Sequence, residues 1–232
     1  MQYLKSMWYT DMVYVYLFFF QYEKEEIAKL LRFESSNKPA GKTVSLPEYA
    51  SNMKAGQRDI YYLASPSRQL AESSPYFEAL KEKDVEILFC YEPYDELVLM
   101  QLQQFDMKKM TSVEKEMRQN PEEISTDSQD AMDLSNWIQS QLGSKAAKVK
   151  LTKRLESHPC LVSVEEMAAA RHFVKTQGSN FSEEQRFNIL QPTLEINPEH
   201  PIIKKLQDLK TSNPKLATLV TEQVSKSYSL WF

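Results

Sequence analysis

Two short apolar runs constrain the fold most. Ile60-Tyr61-Tyr62-Leu63-Ala64 and the stretch from Val85 to Tyr91 both read as buried strands. Between them, Ser65-Pro66-Ser67 turns into a helical region holding Leu70, Phe77 and Leu80. Strand, helix and strand in that order form a βαβ unit, which implies a parallel pair joined by a right-handed crossover. Around this unit, Ile27, Leu30, Leu31 and Phe33 recur at helical spacing up to Ser35-Ser36-Asn37-Lys38-Pro39. A second short helix is expected from Ser45, which can cap it, through Pro47, Tyr49, Ala50 and Met53 to Gly56. Asp95 to Phe105 reads as a further helix, and Lys109 to Val113 as a third strand. Residues 25–113 are therefore expected to form a small α/β domain with a parallel sheet.

Glu114 to Asp133 carries seven acidic residues against Lys115 and Arg118, the pattern of a solvated linker. Beyond it, the spacing predicts a helix over Leu134 to Leu142 ended by Gly143. Val149 to Leu155 reads as a half-buried strand, with Cys160 to Val164 as its pairing partner and His158-Pro159 in the turn. A helix follows from Glu165 to Gln177, then two late helices, Pro201 to Leu209 and Pro214 to about Tyr228, with Asn197 and Asn213 as expected caps. Residues 134–232 are thus expected to be α+β, so the fold class is α/β followed by α+β.

The chain has 232 residues, enough for one large or two small cores without disulfide staples. A net charge of −4 supplies no global excess of cations for phosphate neutralisation, so nucleic acid is not an expected partner; a membrane is not expected either. Cys90 and Cys160 show no pairing pattern, which suits a reducing compartment. Residues 1–24 form an aromatic leader expected to lie outside the fold. Its apolar run, Met12 to Tyr22, is too short for a spanning helix, and no small-x-small cleavage site follows it.

Motifs of small-molecule chemistry are weak. Ala40-Gly41-Lys42-Thr43 imitates the end of a phosphate-binding loop, but Ser36 stands where the first glycine is required, so a polar loop between two helices is expected. His158, Cys160 and His172 follow no metal-ligand spacing. No Gly-x-Ser-x-Gly elbow is present. The Asn180-Phe181-Ser182 sequon matters only in a secreted chain. Met167, Ala170, Phe173 and Val174 make one side of a helix apolar, with Arg171 and Lys175 beside it; such a stripe favours core over a binding surface.

Several strings, taken in series, resemble one family. They are Ile27-Ala28-Lys29-Leu30-Leu31-Arg32-Phe33-Glu34-Ser35-Ser36, Ser45-Leu46-Pro47-Glu48-Tyr49, Met53 to Leu63, Glu86-Ile87-Leu88-Phe89-Cys90-Tyr91 with Asp95-Glu96-Leu97, and Leu194-Glu195-Ile196-Asn197-Pro198-Glu199-His200-Pro201-Ile202-Ile203. These resemble the heat shock protein 90 (HtpG-like) chaperones. Ala168-Ala169-Ala170-Arg171-His172-Phe173 is most similar to the mitochondrial, tumour-necrosis-factor-receptor-associated branch. The resemblance implies a homodimeric chaperone that hydrolyses ATP with Mg2+ and clamps partly folded client proteins. It places residues 25–113 in the distal middle domain and 134–232 in the carboxy-terminal domain, with the dimerisation helices cut short. No counterpart of the nucleotide-binding domain is found, so neither ATP nor Mg2+ is expected to bind this chain and no catalytic residue is assigned. Met167, Phe173 and Val174 fall on the helix that meets clients in the family, although cytosolic relatives carry methionine at the positions of Ala170 and Val174. The resemblance implies a mitochondrial protein, with cytoplasm as the alternative. The alternative functions are a non-enzymatic interaction module and an incomplete gene product without activity of its own.

Overall fold

The computed structural model describes residues 24–81, 83–119, 129–164 and 167–229. The aromatic leader, apart from Lys24, lies outside the described residues. The chain divides into two compact units, one up to Gln119 and one from Asn120.

In the first unit, α1 (Lys24–Ala28) leads into β1 (Arg32–Ser35), which doubles back as β2 (Thr43–Ser45). Ser45 ends the strand and caps α2 (Leu46–Asn52): its hydroxyl accepts from Glu48 N at 3.3 Å and the Glu48 carboxylate accepts from Ser45 N at 2.7 Å. This reciprocal capping box satisfies two amides that the first helical turn leaves unpaired. Next come β3 (Asp59–Ala64), α3 (Arg68–Glu72, capped by Ser67), α4 (Pro75–Lys81) and β4 (Ile87–Cys90). The unit closes with α5 (Pro93–Leu102), β5 (Gln104–Phe105), β6 (Lys108–Ser112) and α6 (Val113–Gln119).

The six strands run in the order β2-β1-β4-β3-β6-β5. β3 pairs in parallel with β4, Leu63 opposite Phe89, and with β6, Ile60 opposite Met110, so the expected βαβ pairing is present. The sheet as a whole is mixed, not parallel: β1 is antiparallel to both β2 and β4, and β5 is antiparallel to β6. This corrects the helical reading of Ile27 to Phe33. The helix stops at Ala28, Leu30 is 67% exposed, and Phe33 is buried from a strand. Pairing on both edges of β1 outweighs the local helical spacing, because each strand residue gains ladder hydrogen bonds. Phe33, Val44, Leu46, Tyr49, Ile60, Tyr62, Leu88 and Leu99 share one core cluster. The solvated-linker reading does not hold at its start, where Glu114 and Glu116 are buried in α6 and Glu116 receives Lys83 Nζ at 2.5 Å.

The second unit begins with α7 (Gln129–Leu142), whose Leu134, Ile138 and Leu142 are buried at helical spacing. After a 3₁₀ turn, β7 (Lys148–Leu151), β8 (Cys160–Ser163), α8 (Met167–Gln177), α9 (Glu183–Leu190) and β9 (Thr193–Ile196) follow in order. α10 (Pro201–Ser212) and α11 (Pro214–Ser229) complete it. The sheet order is β7-β9-β8, so the expected direct pairing of the two earlier strands is wrong. β9 lies between them, parallel to β7 and antiparallel to β8, with Leu194 opposite both Val149 and Val162. Leu134, Ile138, Cys160, Val162, Leu194, Ile196, Ile203, Leu206 and Ala217 form its core. Asn213 caps α11 as expected, accepting from Leu216 N at 3.2 Å. Asn197 caps nothing, because His200 takes that position on α10.

Candidate functional site

Helix α8 carries the candidate residues. Ala170 alone among its described side chains is buried; Phe173 and Val174 are half-buried, as are Arg171 and His172 beside them. The Met167 side chain and that of Lys175 lie outside the described residues. The apolar stripe is thus neither the sealed core that its spacing favours nor a fully solvated face. Phe173 meets Phe181 with ring centroids 5.4 Å apart and planes at 43°, an offset geometry that aromatic pairs prefer. That contact ties α8 across a 3₁₀ turn, Gly178–Asn180, to the residue before the Ser182 cap of α9.

α9 was not anticipated, although Ser182-x-x-Gln185 carries the capping-box spacing. Ser182 Oγ accepts from Gln185 N at 3.2 Å, and the Gln185 side chain accepts from Ser182 N at 2.9 Å. At the other end Gln191 adopts φ 45°, and its amide bonds back to Phe187 O at 2.8 Å. α9 buries none of its residues, and Ile189 is 53% exposed. α8 and α9 therefore present Phe173, Val174 and Ile189 at or near the surface of the second unit. Chemically, such a surface can remove water from apolar side chains of another chain, and each large side chain so buried is worth about 1.5–3 kcal/mol.

The other singled-out residues do not assemble into a site. Gly41 stands in the turn between antiparallel β1 and β2, not between two helices, with φ 77° and its amide donating to Glu34 Oε1 at 3.0 Å. An amide already spent on a carboxylate, in a hairpin loop, does not fit a nucleotide phosphate. Glu34 also takes Arg68 at 3.2 Å and the Tyr91 hydroxyl at 3.1 Å. Burial pushes the Glu34 carboxyl up, but these three donors outweigh it and hold the group below its ordinary range. Arg68 also donates to Glu72 at 2.7 Å and Lys38 O at 2.8 Å and lies over the Phe89 ring, so the cluster is internally satisfied. Cys160 is fully buried in β8 and burial raises its thiol pKa, while His158 meets Ser157 and His172 sits on α8. Among the described residues no group of three or more His, Cys, Asp or Glu side chains could hold a metal ion. No described helix is long and apolar enough to cross a membrane.

Comparison with known proteins bears out the family that the sequence motifs resemble. Residues 20–228 match the family described as "Hsp90 protein". The chain belongs to the Hsp90 family. It is 48% identical over 212 residues to "Heat shock protein 75 kDa, mitochondrial" of Rattus norvegicus, covering 87% of this chain and 30% of that protein. It is 38% identical over 211 residues to "TNF receptor-associated protein 1 homolog, mitochondrial" of Dictyostelium discoideum, covering 87% of this chain and 29% of that protein. It is 31% identical over 208 residues to "Chaperone protein HtpG" of Desulfitobacterium hafniense, covering 87% of this chain and 33% of that protein. The chain thus spans about a third or less of the length of these curated relatives.

Proposed function

We propose that this chain is a chaperone segment that binds apolar stretches of unfolded or partly folded proteins through α8. The observation that carries the reading is the half-burial of Phe173 and Val174 on a helix that seals only Ala170 among its described side chains, in a chain of the Hsp90 family. Met167, at the start of the same helix, is assigned to that surface with them. Residues 25–113 act as the distal part of the family's middle domain and 134–232 as part of its carboxy-terminal domain. Homodimerisation, and binding and hydrolysis of ATP with Mg2+, belong to the longer chains of the family. The Gly41 turn does not fit a nucleotide, which supports the reading that this chain does not turn over ATP by itself. Mitochondrial residence is proposed from the names of two relatives.

The test is suppression of aggregation of a heat-denatured model protein by the purified chain, with and without ATP. ATP-independent suppression that is lost on Phe173→Asp with Val174→Asp supports the reading. Equal suppression by that variant refutes the assignment to α8. Because Phe173 packs on Phe181, the single Val174→Asp variant with an unchanged melting profile serves as the folded control. ATP turnover by the chain alone would overturn the nucleotide part.

A further inference from the structure

We infer that His200 is a pH-sensitive clasp that joins the β7–β8 loop to the amino terminus of α10. The loop between β7 and β8 is held by the segment that follows the central strand β9. Thr152 N donates to Ile196 O at 2.9 Å, Asn197 N to Pro159 O at 2.8 Å, and Asn197 Nδ2 to the Leu155 carbonyl at 2.6 Å. His200 adds the outermost tie, its Nε2 lying 3.2 Å from Ser157 O, while Nδ1 accepts from Ile202 N at 3.2 Å and caps the helix.

The chemistry of those two partners sets the state of the ring. A carbonyl oxygen only accepts and a backbone amide only donates, so both contacts exist together only in the neutral tautomer with hydrogen on Nε2. Protonation places an N–H on Nδ1, directly against the Ile202 N–H. It also puts a cation at the positive end of a 12-residue helix, where cations are disfavoured. The ring must then leave the cap, and the Ser157 contact moves with it. His200 is only half-buried, so protons reach it.

Beside it along the chain stand the charged groups Glu199 and Lys204, and the loop whose Ser157 it meets carries Lys153, Arg154, Glu156 and His158. Glu199 would favour an imidazolium, but its carboxylate is held by Lys204 Nζ at 2.6 Å. Lys153 adds positive field at Glu199, opposing a second cation nearby. Histidine is the side chain whose charge changes most readily between pH 5 and 8, so a cap built from it responds where Ser or Asn would not.

The experiment is amide hydrogen exchange of the full chain at pH 7.5 and pH 5.5, resolved for Ile202 to Lys204 and for the β7–β8 loop, beside His200→Asn. Asparagine keeps a capping oxygen and does not titrate. With intrinsic exchange rates divided out, protection in the wild type should fall about fivefold or more on acidification relative to His200→Asn, the equivalent of one hydrogen bond. An identical pH response in both proteins overturns the inference. If His200→Asn does not fold, nitrogen chemical shifts of the wild-type ring at pH 7.5 decide the matter: hydrogen on Nε2 supports the clasp, and hydrogen on Nδ1 or on both nitrogens refutes it.

Discussion

Replacing Asn197 with alanine should unfold the second unit at markedly lower urea. Asn197 is buried, and its side chain makes two hydrogen bonds: Nδ2 to the Leu155 carbonyl at 2.6 Å and Oδ1 from Glu199 N at 2.9 Å. The two losses differ in cost. Glu199 is exposed, so water replaces the lost acceptor and the penalty there is about 0.5–1 kcal/mol. Leu155 is buried, so its carbonyl is orphaned at a cost of about 1–3 kcal/mol. The sum is about 1.5–4 kcal/mol, and with a mid-range urea slope of about 2 kcal/mol per molar the midpoint should fall by roughly 0.7–2 M. Asn197→Asp is the sharper probe. It keeps the acceptor for Glu199 N but sets an oxygen against the Leu155 carbonyl, and should cost at least as much as alanine. The assay is urea unfolding by circular dichroism, with hydrogen exchange over the β7–β8 loop locating the loss in the second unit. Midpoint shifts below about 0.3 M for both variants would refute the assignment of this side chain as the tie between loop and sheet.

Three further outcomes are expected. Ser45→Ala removes the capping box of α2 and should destabilise the first unit by about 1 kcal/mol in urea unfolding; no change would mean that burial of Leu46 and Tyr49 holds the helix without its cap. Burial pushes Tyr49 and Tyr61 up to about 12, and the folded chain therefore keeps protons that the unfolded chain releases near pH 10, so stability of the first unit should fall as pH rises from about 10 towards 12. Tyr49→Phe should flatten that loss in alkaline melts, at the expense of the hydrogen bond to Glu86 O. On α11, Leu216 and Leu219 are 43% and 62% exposed, and the chain should self-associate in sedimentation through them; the double glutamate variant should be monomeric with an unchanged melt, whereas a monomeric wild type contradicts the expectation.

Parts of this fold were legible from residues alone for physical reasons. The parallel core strands read correctly because Ile87-Leu88-Phe89-Cys90 is buried at every position and cannot be mistaken for an alternating surface strand. α2 and α11 read correctly because Ser45, Pro47, Asn213 and Pro214 are local signals that act through the first helical turn alone. β1 was hidden because its pairing partners lie far along the chain, and Phe33 keeps helical spacing with Leu30 although only Phe33 is buried. β9 escaped for a similar reason: only four residues long, it is defined by ladders on both sides. At the candidate site the apolar spacing of α8 was visible, but its half-burial and the Phe173–Phe181 contact depend on packing that no local pattern encodes. In the sequence His200 stands out only as part of a family string, since its contact is with a carbonyl 43 residues away.

Whether α8 meets unfolded chains is tested most directly by site-specific photo-crosslinking. A photoreactive phenylalanine analogue at position 174, irradiated with a heat-denatured model protein, should give covalent adducts, while the same analogue at exposed position 51 on α2 should give few. Equal adduct yields at both positions, or none at 174 in a chain that still suppresses aggregation, would contradict a client surface on this helix.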